Sequence, residues 1–248
     1  MQTIAVINQK GGVGKSTTAL AIGQGLALRG FNVLFIDLDV QGNLSYSLGA
    51  DTTGYNSLGI LQRPETIESE IQHTEAANIV ASTPSLARAE NLINQTGKEF
   101  RLKEALERVA ANYDYCIIDT PPALSVLTIN ALTASNGVIV PTQADIYSLQ
   151  GLLQLQSTIE AVKKYCNKDL TILGILITRF NERTNVRKEV AKMLEGIAQQ
   201  LNTKVYKTHI RECTALVEAQ ALKKVIFTYA PKSNATADYN ALIDELLE

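Results

Sequence analysis

Short apolar, β-branched runs alternate with amphipathic stretches along the whole chain. Runs at 3–8, 32–37, 78–82, 115–119, 137–141, 171–178 and 204–206 have the length and residue types of buried strands. Stretches at 15–29, 86–95, 99–112, 125–134, 149–165, 186–201 and 235–247 repeat their apolar positions at helical spacing. This alternation predicts an α/β fold: a doubly wound, mostly parallel sheet with helices on both faces. The segment 50–75 holds Gly54, Gly59 and Pro64 without a strand pattern, so it is expected to be a peripheral excursion of short helices. No internal repeat or linker composition interrupts the pattern, and residues 1–248 are expected to form a single domain.

Ligands of such sheets sit at the carboxyl ends of the strands, and the polar residues there are distinctive. The first run leads into Lys10-Gly11-Gly12-Val13-Gly14-Lys15-Ser16-Thr17, and a helical pattern follows at once. Strand, glycine-rich turn and helix in that order make a phosphate-binding loop. The glycines let successive N–H groups curl around an anion, and the helix adds its positive end. In this motif Lys15 reaches the β- and γ-phosphates of a nucleotide and Ser16 holds Mg²⁺. The usual pattern would place glycine at position 9; this chain has Gln9, and adds Lys10 at the head of the loop. The second strand ends in Asp37-Leu38-Asp39-Val40-Gln41-Gly42-Asn43, and the fourth in Asp119-Thr120-Pro121-Pro122. Carboxylates at strand tips are costly to bury unless partnered, which favours a polar site.

The loop at 10–17 resembles the deviant Walker A loop of the ParA/MinD family of P-loop ATPases, and the resemblance extends over nearly the whole chain. It is nearest to short ParA/Soj-type partition ATPases. It implies ATP and Mg²⁺ as cofactors, bound by Lys10, Gly11, Gly12, Val13, Gly14, Lys15, Ser16 and Thr17. Lys10 would cross a two-fold axis to the nucleotide of a second subunit, giving a homodimer in the ATP state. Lys10, Lys15 and Asp39 would serve hydrolysis, with Asp39 aligning the attacking water. Ser16, Asp37 and Asp119 would hold the metal, the aspartates mainly through water. Thr178 and Arg179, at the end of the strand at 171–178, would lie near the adenine; Arg179 offers a planar cation suited to stacking on a base. The chain departs from the family at Val40, where proline is usual, and at His209-Ile210-Arg211, where relatives carry Ile-Pro-Arg.

Charge adds a partner class. The formal net charge is −2, but residues 179–232 carry eleven Lys/Arg against five Asp/Glu. Arg183, Arg187, Lys188, Lys192, Arg211, Lys223 and Lys224 would offer a cationic surface for non-specific DNA. The resemblance also implies a ParB-like centromere-binding partner and partition of a plasmid or chromosome, with placement of a protein cargo on the nucleoid as the alternative. The final segment is acidic, unlike the basic amphipathic helix of membrane-bound MinD relatives, so no membrane partner is expected. No paired cysteines follow Asp119 as a nitrogenase-type cluster would need, and no helix-turn-helix extension precedes the loop. Neither an apolar run of spanning length nor a secretory leader is visible, and Cys116, Cys166 and Cys213 are widely spaced. Reduced thiols and a cytoplasmic, nucleoid-associated location are expected.

Overall fold

The computed structural model describes residues 1–180 and 185–248, apart from the side chains of 146, 147, 150, 185–188 and 191. Its strands are β1 (Gln2–Val6), β2 (Val33–Asp37), β3 (Gln72–His73), β4 (Asn78–Val80), β5 (Tyr115–Asp119), β6 (Gly137–Gln143) and β7 (Thr171–Thr178). They form one sheet in the order β3-β4-β2-β5-β1-β6-β7. Every pairing is parallel except β3 with β4. The α/β doubly wound fold expected from the alternation is therefore present, with one antiparallel edge.

The helices are α1 (Lys15–Leu28), α2 (Asn43–Ser47), α3 (Ser57–Gln62), α4 (Ile67–Glu70), α5 (Ala89–Leu92), α6 (Arg101–Val109), α7 (Val126–Ala134), α8 (Ile146–Tyr165), α9 (Asn185–Gln200), α10 (Thr214–Ala221), α11 (Ile226–Tyr229) and α12 (Asn234–Leu247). Side chains of a strand alternate between faces, and the core divides accordingly. On one face Ala5, Leu34, Ile36, Cys116 and Ile118 pack under α3, α6, α7, α8 and α9. On the other, Ile4, Val6, Val33, Phe35 and Ile117 pack under α1, α10, α11 and α12.

Several boundaries differ from the expected ones for local reasons. The run at 204–206 forms only a single bridge, Val205 to Ile175, rather than a strand. The Glu245 carboxylate takes the N–H groups of Lys207 and Thr208 and turns the chain away from β7. The helix expected at 86–95 is a 3-10 turn (Pro84–Arg88) followed by α5, because Thr83 caps early and Pro84 fixes the first turn. The segment 50–75 does contain short helices but ends in β3, so its lack of a strand pattern misled at Gln72–His73. A pair of residues is too short to show period-two alternation. The pattern also did not reveal α2, α10 and α11. In contrast, α8 starts three residues before the expected 149, because Asp145 caps it by accepting the Ser148 N–H at 2.9 Å.

The sheet and α1 meet closely at Gly23. A Cβ there would stand 2.2 Å from Cζ of Phe35 on β2. Gly23→Ala should therefore push α1 off the sheet and destabilise the fold by about 1–3 kcal/mol, against a helix-propensity gain of about 1 kcal/mol. A lower urea midpoint with an unchanged slope checks this; a raised midpoint contradicts it.

Candidate functional site

β1, β2 and β5 end side by side at the centre of the sheet, and their carboxyl ends open on a cavity of about 530 Å³. Gly11, Gly12, Gly14, Lys15, Ser16 and Thr17 line one wall; Asp39, Gln41, Asn43 and Tyr46 line another. The loop between β1 and α1 can take its path because Gly12 and Gly14 sit at φ 74° and 88°, which a side chain would strain. Gly14 is also the N-cap of α1 and supplies no side-chain cap. The first-turn N–H groups of α1 thus remain available to an anion in the cavity.

Four distant residues pin this loop. Asn8 donates to the Pro141 carbonyl at 2.7 Å and accepts the Lys10 N–H at 2.9 Å. The Thr178 hydroxyl is shared between the Val13 carbonyl at 2.8 Å and the Thr142 carbonyl at 3.1 Å. Gln143 donates to the Gly12 carbonyl at 3.3 Å, and Thr120 to the Val6 carbonyl at 2.8 Å. Thr178, expected beside the base, is also a buried anchor of the phosphate loop. Val13 is likewise buried, and its carbonyl is the atom that Thr178 holds.

The charged groups of the cavity are unevenly matched. Lys15 is 7% exposed, and its ammonium lies 3.4 Å from the Lys10 carbonyl. Burial lowers its pKa, while Asp119 and Asp39 oppose that shift. Asp37 and Asp119 are register partners on β2 and β5 and are both fully buried. Asp37 is saturated by donors: the Asp39 N–H at 3.0 Å, and the Ser45 N–H and hydroxyl at 2.8 and 2.7 Å. Its carboxylate organises the turn into α2, so sequence reasoning that placed it near the metal overlooked Ser45. Asp119 differs, because both of its oxygens are buried without a hydrogen bond. Burial first, then the charge of Asp37, pushes its pKa well above the usual carboxylate range, against the pull of nearby Ser16 and Lys15. A carboxylate unsatisfied within the fold and close to the Ser16 hydroxyl fits a divalent cation bound largely by water and phosphate oxygens. Among the described residues no three His, Cys, Asp or Glu side chains converge as a metal-binding group. Asp39 borders the cavity with one carboxylate oxygen on the Gln41 N–H at 3.0 Å.

Beyond the phosphate loop a second cavity of about 250 Å³ lies between β7 and α10. Val13, Gly14, Thr17, Thr178, Arg179, Ile210, Leu216 and Gln220 are among its lining residues. Arg179 has φ 48° and lines both cavities, so the chain turns sharply where the base-side residues were expected.

Lys10 does not line the larger cavity. Its ammonium lies 2.5 Å from Asp145, at the start of α8, with both side chains about one-third exposed. Although burial works the other way, Lys10 and Ser148 hold the Asp145 carboxyl below its ordinary range. Sequence reasoning missed Asp145, both as the partner of Lys10 and as the cap of α8.

The cationic residues do not form one helix face. Lys192 is exposed on α9, whose buried residues join the layer of α8. Lys223 and Lys224 follow α10 in the opposite layer and lie over Tyr46 and Tyr229, at 4.6 and 6.0 Å from the ring centroids. Arg211 forms an ion pair with Asp238 at 2.5 Å, so its charge is matched within the fold. Arg183 and the side chains of Arg187 and Lys188 lie outside the described residues. No helix among the described residues is long and apolar enough to cross a membrane.

Comparison with known proteins extends this geometry. Residues 1–172 match a family model described as an AAA domain. The chain is 42% identical over 248 residues to the sporulation initiation inhibitor protein Soj of Bacillus subtilis, covering 98% of this chain and 97% of that protein. It is 40% identical over 253 residues to the chromosome partitioning protein ParA of Myxococcus xanthus, covering 99% and 87%. Among solved structures, a cobyrinic acid a,c-diamide synthase from Mycobacterium smegmatis with bound ATP analogue and magnesium superposes with a TM-score of 0.85 at 33% identity, covering 100% of this chain and 94% of that one.

The burial of Asp37 sets a pH dependence. Burial pushes its pKa up to about 6 from the usual 3.8, opposed by its hydrogen bonds. Between those values the unfolded chain gives up the proton first, so the folded state loses stability as pH rises. Asp37→Asn should gain on the parent from about pH 4 to about pH 6.5, by an amount on the order of 3 kcal/mol. Urea denaturation at both pH values checks this, and a constant difference between the two proteins contradicts it.

Proposed function

We propose that this chain, which belongs to the ParA/MinD family of P-loop ATPases, is an ATP-dependent dimerising switch for partition of a plasmid or chromosome. The observation that carries the reading is the division of labour between its two loop lysines. Lys15 faces the cavity of its own subunit, whereas Lys10 faces outward and is held by Asp145. A triphosphate with Mg²⁺ keeps net negative charge, and a cation from a second subunit would neutralise part of it. Lys10 would then exchange Asp145 for the γ-phosphate of the neighbour's nucleotide. Loss of that phosphate after hydrolysis would weaken the attraction and release the dimer.

Within one subunit, the chain's residues divide the work. Gly11, Gly12, Val13 and Gly14 would wrap the phosphates with backbone N–H groups; Lys15, Ser16 and Thr17 would complete the cradle. Mg²⁺ would be held by Ser16 and, through water, by Asp119; when bound it screens the phosphate charge. Asp37 would act one step back, fixing the turn that carries Asp39. Asp39 would orient the attacking water, and the second cavity would take the base near Arg179.

A dimer formed this way would double a modest cationic surface, and non-specific DNA is the partner such a surface fits. Arg183, Arg187, Lys188, Lys192, Lys223 and Lys224 are the candidate contacts; Arg211 is the weakest of the set because Asp238 already neutralises it. The strong similarity to Soj and ParA proteins supports partition as the role and a ParB-like protein as the partner. A nucleoid-associated place in the cytoplasm follows from that reading.

Lys10→Ala should bind nucleotide but stay monomeric with Mg²⁺ and a non-hydrolysable ATP analogue, as read by size-exclusion chromatography with light scattering. A dimer like the parent's would overturn the trans role of Lys10. Replacing Arg187 and Lys188 together by alanine should reduce the slope of log affinity against log salt for DNA by about 2. An unaltered slope would place the DNA contacts elsewhere.

A further inference from the structure

The two cavities share a wall. Thr17, on the first turn of α1, and Gln220, on α10, both line the phosphate cavity and the smaller one beyond it. Their side chains meet across 203 residues of sequence, Gln220 Nε2 donating to Thr17 Oγ1 at 2.9 Å. Ala219 is buried beside them, packing α10 onto the α1 side of the sheet. Just after α10, Lys223 adopts φ 53° and places its ammonium 4.6 Å over the ring of Tyr46. Tyr46 belongs to α2, which begins at the end of the turn carrying Asp39, and it lines the phosphate cavity. One helix therefore touches the smaller cavity through Gln220, the phosphate loop through Thr17, and the Asp39 side through the Lys223–Tyr46 contact.

We propose that Gln220 is a positioning residue for ATP hydrolysis, holding Thr17 so that a base in the smaller cavity sets the geometry of the phosphate loop. The inference rests on reading the two cavities as phosphate and base subsites. A side chain shared by both subsites has a specific consequence. A base that fills its cavity fixes α10, and the amide then fixes the Thr17 hydroxyl next to Ser16 and the metal position. A triphosphate without a base leaves α10 held by its own packing alone, so the Gln220 amide positions the same hydroxyl less firmly. The Lys223–Tyr46 contact links the residues just after α10 to α2 on the opposite wall.

The test compares turnover of ATP and of ribose 5-triphosphate by the full chain with Mg²⁺. The parent should turn over ATP faster. Gln220→Met, which keeps the volume and removes the amide, should lower kcat for ATP about tenfold, the effect of one lost hydrogen bond, and lower that for ribose 5-triphosphate clearly less. Because Thr17 also belongs to the phosphate cradle, Thr17→Val should slow both substrates, ATP the more, and the double variant should be no worse on ATP than the poorer single one. Gln220→Leu, which also removes the amide donor, should lose the same preference for ATP, and it serves if the methionine variant fails to fold by circular dichroism. Equal losses on both substrates, multiplying losses in the double variant, or a parent without preference for ATP would each overturn the proposal. Lys15→Ala separates the premise: it should abolish turnover of both substrates, and if it does not, the reading of the larger cavity fails rather than the role of Gln220.

Discussion

A negative charge excess buried at the tips of three adjacent strands dominates this molecule. Asp37, Asp39 and Asp119 lie at or just beyond the ends of β2 and β5, beside a cleft whose wall Asp39 and Lys15 line. Hydrogen bonds satisfy Asp37, and Asp39 reaches the cavity, but Asp119 has neither. Such a cleft is poorly solvated and electrostatically unfinished. It is completed by a species that brings positive charge to Asp119 and negative charge to the glycine loop, and a metal–triphosphate complex does both. Cost in the empty fold and selectivity for the ligand have the same origin.

That arrangement needs a rigid frame, because the loop that receives phosphate contains little side-chain mass of its own. Its carbonyls and Asn8 are fixed from β6 and β7, by Pro141, Gln143 and Thr178. The parallel register brings those strands level with β1, so residues more than a hundred positions apart reach the same eight-residue turn. α1 then seats against β2 at Gly23 with no room for a methyl group. The loop is thus clamped from the sheet at one end and by helix packing at the other.

The two lysines of this loop have different surroundings. Lys10 and Lys15 are five positions apart, yet Lys15 is buried in the cleft and Lys10 is a third exposed on an ion pair with Asp145. An exposed ion pair of this kind contributes little to stability, about 0–1 kcal/mol. It is therefore easily exchanged for a stronger anion. A firm internal cation and a loosely parked external one are what an association switch requires.

The phosphate loop, the acidic strand ends and the layered α/β plan were legible from the chain because each depends on neighbours in sequence: glycine freedom at Gly12 and Gly14, a lysine and hydroxyl at a helix start, period-two and period-3.6 burial. The side chains that Asp37, Lys10, Thr17, Thr178 and Arg211 actually meet were not. Ser45, Asp145, Gln220, Val13 and Asp238 are brought to them by strand order and helix packing. The run of lysines and arginines also looked continuous in sequence, yet α9 and α10 lie in opposite layers. Backbone conformation and burial periodicity are local properties, so the sequence alone determined what kind of ligand the turn holds. Charge compensation acts through space at a few ångströms, so only the tertiary structure decided which carboxylate stays open, which is filled, and which lysine faces outward.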